Sequence, residues 1–398
     1  MRIGYLVPEF PSQTHIFFWR EICALRELGA DLTLFSTRRP KQQMRHSFKE
    51  AAQQETIYLF PPQFLSAFWV LMARPRWLIA MIGYILHLKE TSLTQKVRLC
   101  GLMLVAAELH ANVTKLRISH VHAHSCADSA HLLALAALSG AFTHSLTLHG
   151  DLPVYGTDHA AKFARTAFVS VVTHALQQQV MKVCDVARER LPVIRMGVNT
   201  EQFFPVAREV VENELRLITV ARLAPAKGHS VALQAIKKLK EQMPSLKVNY
   251  TIVGEGEIRE QIAHDITTLG LQQQAQLVGT AGEDEVARYL QAADVFILPS
   301  VGLGEAAPVS VMEAMASGLA VISSIIGGTP EMIEDGVDGF LFERGDVERL
   351  TEILMTLARD PELRKKIGAA ARLKAESQFT AKGFAQQFYS RILQIKTK

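Results

Sequence analysis

Short apolar runs alternate with helix-period segments along most of this chain, and they do so in two separate series. Arg2–Val7 is a short apolar run, residues 14–28 place Phe17, Phe18, Ile22 and Leu25 at helical spacing and stop at Gly29, and residues 32–35 form a second run. Strand, helix and strand within some thirty residues make a βαβ unit, so the sheet must be parallel. Further runs follow at His120–His124 and at residues 145–148, 167–172 and 193–194. Residues 204–214 are charged and aperiodic, which suits a linker. A second series then begins, with runs at 215–221, 248–253, 276–278, Val295–Leu298 and 320–323, each preceded by a helical segment. The expected architecture is α/β: two Rossmann-like, doubly wound domains over residues 1–205 and 206–378. Residues 379–398 are expected as a helix packing back on the first domain. Open sheets of this kind bind ligands at the carboxyl ends of their strands, so two of them are expected to face across a cleft.

Length and composition narrow the function. The 398 residues are 48% hydrophobic and 21% charged, values that exclude a disordered or collagen-like chain. A net charge of +4 is too small for a protein whose main partner is nucleic acid. Cys23, Cys100, Cys126 and Cys184 are scattered and form no Cys-x-x-Cys pair, as in a reducing cytosol. The start lacks an apolar signal-peptide core before Pro8 and Glu9, so a cytoplasmic protein is expected. Residues 64–88 are strongly apolar and hold Trp69 and Trp77, but Arg74-Pro75-Arg76 divides them into pieces too short to span a bilayer. Two readings stand side by side: a pair of buried helices, or a peripheral anchor on the cytoplasmic face of an anionic inner membrane.

Four segments of the second series follow strands and could carry chemistry. Arg222 and Lys227, five residues apart on an expected exposed loop, can converge on one anion beside Gly228 and the next helix N-terminus. Gly254-Glu255-Gly256 could admit a ligand close to the backbone. Pro299-Ser300 ends a strand on the same edge. The richest segment is Gly304-Glu305-Ala306-Ala307-Pro308-Val309-Ser310-Val311-Met312-Glu313. Pro308 suits the first turn of a helix, which leaves Glu305 in the loop before it and Glu313 one to two turns inside. A carboxylate on so apolar a helix needs hydrogen-bond donors, and ligand hydroxyls would supply them.

Together these segments resemble the catalytic domain of retaining glycosyltransferases of the GT-B fold, in the family-4 group (glycosyltransferase group 1). The hallmark is two glutamates separated by seven residues, matched by Glu305 and Glu313; Gly327-Gly328-Thr329-Pro330-Glu331 completes the series in family order. The resemblance covers about residues 216–345. It continues in Thr147-Leu148-His149-Gly150-Asp151, in Gly197-Val198-Asn199 with Phe203, and in Phe10-Pro11-Ser12-Gln13-Thr14, which is similar to the first loop of exopolysaccharide-type members. The chain departs from many members at Pro8-Glu9-Phe10-Pro11, where they carry two glycines, and at Ala306, where they carry one.

The resemblance implies a nucleotide-diphosphate sugar (UDP-, GDP- or ADP-linked) as donor and a glycan or lipid-linked acceptor, as in exopolysaccharide, lipopolysaccharide or glycolipid synthesis. It assigns Arg222 and Lys227 to the diphosphate, Glu313 to the ribose and Glu305 to the donor sugar. His149 would steady the oxocarbenium-like charge, and the backbone around Ala306, Ala307, Pro308 and Val309 would meet sugar and phosphate. Gly228, Gly254 and Gly256 fall to the nucleotide sugar, and Ser12, Thr14 and Asp151 to the acceptor side. No Asp-x-Asp occurs, in keeping with a metal-independent reaction without a cofactor. Other classes stay open. His120-Val121-His122-Ala123-His124, with His131 and His144 nearby, could be read as ligands of a metal-dependent hydrolase. The fold could also bind sugar nucleotides or glycans without turnover, or phosphorolyse or epimerise instead.

Overall fold

A computed structural model describes residues 1–13, 16–40, 46–207, 211–302 and 305–395. The chain divides into two compact units, Met1–Arg195 with Phe384–Lys398, and Met196–Gly383. Residues 196–205 thus lie with the second unit, and the last residues from Phe384 onward with the first.

The first unit is built on β1 (Arg2–Val7), β2 (Asp31–Ser36), β3 (Thr56–Tyr58), β4 (His120–His124), β5 (Thr143–Leu148) and β6 (Val169–Val171). They form one sheet in the order β3-β2-β1-β4-β5-β6, parallel throughout. The second unit has β7 (Glu214–Val220), β8 (Lys247–Val253), β9 (Ala275–Gly279), β10 (Val295–Leu298), β11 (Ala320–Ser324) and β12 (Phe340–Phe342). Its order, β12-β11-β10-β7-β8-β9, is the same when strands are counted within the unit. Strand order reverses between β1 and β4 and between β7 and β10, and at these two points the crevice outside the strand ends opens for a ligand. Helices cover the sheets, so the central strands are buried on both faces: β4 and β10 expose none of their residues.

Two features differ from the sequence expectation, and a third refines it. β3 and β12 are three-residue edge strands, too short to show a period. Residues 193–194 contribute only an isolated bridge, Val171 to Val193, because Pro192 precedes them and the pairing does not extend. Residues 64–88 form two helices, Phe64–Met72 and Pro75–His87, bent by 100° at the break that Arg74 and Pro75 impose.

Those two helices are neither wholly core nor wholly surface. Ala67, Leu71, Trp77, Met81 and Ile85 turn inward at helical spacing, and the Trp77 indole donates to the Leu135 carbonyl at 2.9 Å. Trp69, Leu65, Ile79 and Leu86 turn outward, each about two-thirds or more exposed (67%, 74%, 68% and 67%). The following helix, Leu93–Lys115, opens on a Ser92–Gln95 capping box. It is long and apolar enough to cross a membrane by length and composition alone, yet it buries Leu99, Met103, Ala106, His110 and Val113 along one stripe. The terminal helix, Ala381–Leu393, buries Phe384, Phe388 and Ile392, and Phe388 meets the His122 ring at 4.5 Å between centroids.

Candidate active site

The second unit places Arg222, Lys227 and Glu305 after the strands at its own switch point. β7 ends at Val220, and the loop after it runs through Arg222 to a single 3-10 turn, Pro225–Lys227. Gly228 then takes a left-handed conformation (φ +64°) and opens helix His229–Gln242. A β-carbon there would lie 2.0 Å from the Pro299 carbonyl oxygen, so only glycine lets this loop close on the end of β10. That closure aims Lys227 across the edge. Its ammonium forms an ion pair with Glu305 Oε1, and the Ser300 hydroxyl donates to the same oxygen at 3.2 Å. Ser324 Oγ in turn donates to the Ser300 carbonyl at 2.6 Å. Three strand ends, β7, β10 and β11, therefore fix one lysine–carboxylate pair.

Lys227 was expected on an exposed loop; instead its side chain is 18% exposed, because the pair draws it over the sheet edge. Arg222 is exposed. Burial and the Arg222 charge bring the Lys227 ammonium down to about 8.

Helix Val309–Ala316 begins one residue later than expected, since Pro308 is its extended N-cap (φ −67°, ψ 116°) and not part of its first turn. Glu313 sits inside this helix and is buried, as are Ala306 and Ala307 in the approach to it. Gly328 N–H donates to the Ala306 carbonyl at 2.7 Å, tying the glutamate loop to the Gly327-Gly328 turn. Gly304 lies outside the described residues. Gly254 and Gly256 prove to serve loop-on-loop packing: β-carbons there would meet Ala221 O at 1.9 Å and Leu223 O at 2.2 Å. The close approach they permit is to the Arg222 loop, which they hold in place.

In the first unit, Ser12 follows β1 and is partly buried, His149 and Asp151 follow β5, and Thr14 lies outside the described residues. His149 N–H donates to Tyr155 Oη at 3.2 Å, and its Nε2 is 2.9 Å from His124 Nδ1. The three histidines of β4 do share one face, but both ring nitrogens of His120 and of His122 are engaged, and His124 Nδ1 faces His149. His120 meets Thr143 Oγ1 (2.8 Å) and Ser145 Oγ (2.7 Å), and His122 meets Ser145 Oγ (2.7 Å) and Thr147 Oγ1 (2.9 Å). Burial lowers all three, His120 and His124 to about 3, so they are neutral imidazoles. Among the described residues no group of three or more His, Cys, Asp or Glu side chains could hold a metal ion, so the hydrolase reading finds no ligand set there. The sequence reading passed over Ser324, Tyr155 and Glu21; the polar alternation of Thr143, Ser145 and Thr147 was the visible sign that β5 faces something polar.

Residues 201–374 match the family model of glycosyl transferases group 1. The second unit is a group 1 glycosyl transferase domain. The chain is 36% identical over 226 residues to the amylovoran biosynthesis glycosyltransferase AmsK of Erwinia amylovora, a match covering 56% of this chain and 55% of AmsK. It is 26% identical over 413 aligned positions to the putative colanic acid biosynthesis glycosyltransferase WcaL of Escherichia coli K12, covering 95% and 96% of the two chains. Anabaena HepE, solved with UDP, superposes with a TM-score of 0.75 at 17% identity over 99% of this chain and 100% of its own. That likeness establishes the GT-B fold. Glu305, Glu313, Arg222 and Lys227 all fall within the transferase domain.

Proposed function

We propose that this protein moves a sugar, with retention of anomeric configuration and without a metal, from a UDP-sugar to a glycan or lipid-linked acceptor in exopolysaccharide or lipopolysaccharide synthesis. The observation that carries the reading is the convergence of Lys227, Ser300 and Glu305 at the β7/β10 switch point of a group 1 transferase domain. A diphosphate entering there meets Lys227 and Arg222, whose charge offsets that of the leaving nucleotide as the glycosidic bond breaks. Released from the ion pair, Glu305 accepts hydrogen bonds from the donor sugar, and Glu313 accepts them from ribose. His149 is assigned to steadying the oxocarbenium-like charge. Gly228, Gly254 and Gly256 shape the donor loops, and Ser12, Thr14 and Asp151 are assigned to the acceptor. UDP is favoured over GDP or ADP because HepE was solved with it. The test is transfer in EDTA with NMR of the product anomer: activity survives and configuration is kept. Loss of activity in EDTA, restored by manganese, contradicts the reading.

A peripheral contact with an anionic membrane belongs to the same proposal. Its support is the outward row Leu65, Trp69, Ile79 and Leu86, beside exposed Arg74, Arg76 and Lys89 with Glu90 as the one acid of residues 61–100. Tryptophan favours the headgroup level, and each cation at such a surface is worth about 1 kcal/mol. Trp77 is core, so the variant to use is Trp69→Ser with Ile79→Ser. The wild type should pellet with anionic liposomes and be released by salt, and the variant should stay in solution with an unchanged melt. Equal pelleting of both would remove the docking role.

A further inference from the structure

Beneath His149 lies a line of buried polar groups that the proposed reaction leaves unused. Helix Ile16–Glu27 carries Glu21 inward, 4% exposed, and its Oε1 is 3.5 Å from Nε2 of His124, which is fully buried. Neither of these two atoms has a hydrogen-bond partner among the described residues. On the other side of the ring, His124 Nδ1 reaches His149 Nε2 at 2.9 Å. The two imidazoles lie within 25° of coplanar with centroids 5.1 Å apart, the arrangement of rings meeting edge to edge through that bond. Tyr5 and Phe18 wall the His124 ring at 4.7 and 4.5 Å, and Phe17 packs on His149 at 5.3 Å. His122 abuts His124 on the strand at 4.8 Å but spends its nitrogens on Ser145 and Thr147.

We propose that His124, backed by Glu21, is a positioning residue for His149: it occupies His149 Nε2 and so makes Nδ1 the nitrogen through which His149 acts. The inference rests on the reading of His149 as a residue of the transfer reaction. The proton inventory follows from the geometry. One hydrogen must lie between His124 and His149; Glu21 Oε1 faces His124 Nε2 at 3.5 Å without a hydrogen bond to it. Burial raises Glu21 well above the usual carboxylate range and lowers His124, so the acid keeps its proton. A neutral Glu21 holds no proton on His124 Nε2, so His124 carries its proton on Nδ1 and donates to His149 Nε2, and the His149 proton resides on Nδ1. The identity of one ring nitrogen is thereby set by the bond the other makes.

The tautomer is observable without a substrate. In the full-length protein labelled with 15N histidine, two-bond 1H–15N correlation should show His149 protonated at Nδ1 and bare at Nε2. His124→Leu should release it toward the Nε2–H form, and so should Glu21→Leu. His124→Asn, whose amide can donate from near the place of Nδ1, should hold the wild-type tautomer; it also serves if the leucine variants fold poorly. A wild-type His149 protonated at Nε2, or a tautomer unmoved by both leucine variants, would overturn the proposal. These spectra involve no sugar transfer. If His149→Ala retains full turnover while the tautomer responds as expected, the role of His149 in transfer fails and the positioning contact stands.

Discussion

The two sheets share one strand order and bury their central strands alike, yet their switch points are furnished differently. In the second unit the polar groups reside on loops after the strands, where Lys227, Ser300 and Glu305 meet in a pair that a ligand can open. In the first unit His149 and Asp151 follow a strand, but a row of polar groups resides on the strands themselves: His120 and His122 are bonded to Thr143, Ser145 and Thr147 of the neighbouring strand. Topology thus names the edge where a ligand sits, but free hydrogen-bonding capacity decides which residues can serve it. A buried imidazole already held by two hydroxyls has none left.

The comparison can be broken by substitutions on either side. The largest stability effect should come from the first unit's interior, where Trp77→Ala loses both packing and the Leu135 bond and should cost ~3–5 kcal/mol in urea unfolding followed by circular dichroism. Trp69→Ala, on the outward face of the preceding helix, should stay within about 0.5 kcal/mol of wild type. A similar loss for both would mean that the face is packed after all.

In the second unit Lys227→Ala leaves the buried Glu305 carboxylate without its cation, so the melt should fall. The kcat/KM of the folded variant should drop by about 100- to 1,000-fold, the usual effect of removing one electrostatic donor. On the proposed roles, with Glu305 beside the reacting carbon and Glu313 on a ribose unchanged in the reaction, Glu305→Gln should act mainly on kcat and Glu313→Gln mainly on KM. The reverse pattern would exchange their roles.

The smallest effect is a pH dependence. In the proposed role it is the ammonium form of Lys227 that meets phosphate, and that form is lost as pH rises through about 8. In the free enzyme kcat/KM should therefore be level below that value and fall about tenfold per unit above it, as P–O recognition loses its cation. A profile flat to pH 10 would separate Lys227 from donor binding.

Much of this molecule was legible in its sequence. Ten of the strands could be placed from apolar runs because both sheets are parallel and doubly covered, so β1, β4 and β10 read as unbroken hydrophobic or buried segments. The glutamate pair and the Lys227-Gly228 turn were legible because each follows a strand and each needs a particular residue type. What escaped was contact between distant segments. No local pattern tells that Lys227 lies on Glu305, that Gly254 makes room for Ala221, or that Glu21 reaches His124. Residues 64–88 were ambiguous because Trp69 and Trp77 lie eight positions apart on helices bent by 100°, and the sense of the bend decides which ring turns inward.

The central claim is that the Lys227 edge of the second unit holds a nucleoside diphosphate. Thermal shift of the wild type and of Lys227→Ala with UDP-, GDP- and ADP-glucose tests it most directly. A donor present at 100 times its Kd stabilises by about 2.7 kcal/mol, enough to move the melting temperature visibly. The account predicts that UDP-glucose raises the wild-type Tm, that the other two raise it less, and that Lys227→Ala loses the shift. A wild type that responds to none of the three, or a variant that responds as fully as the wild type, would contradict it.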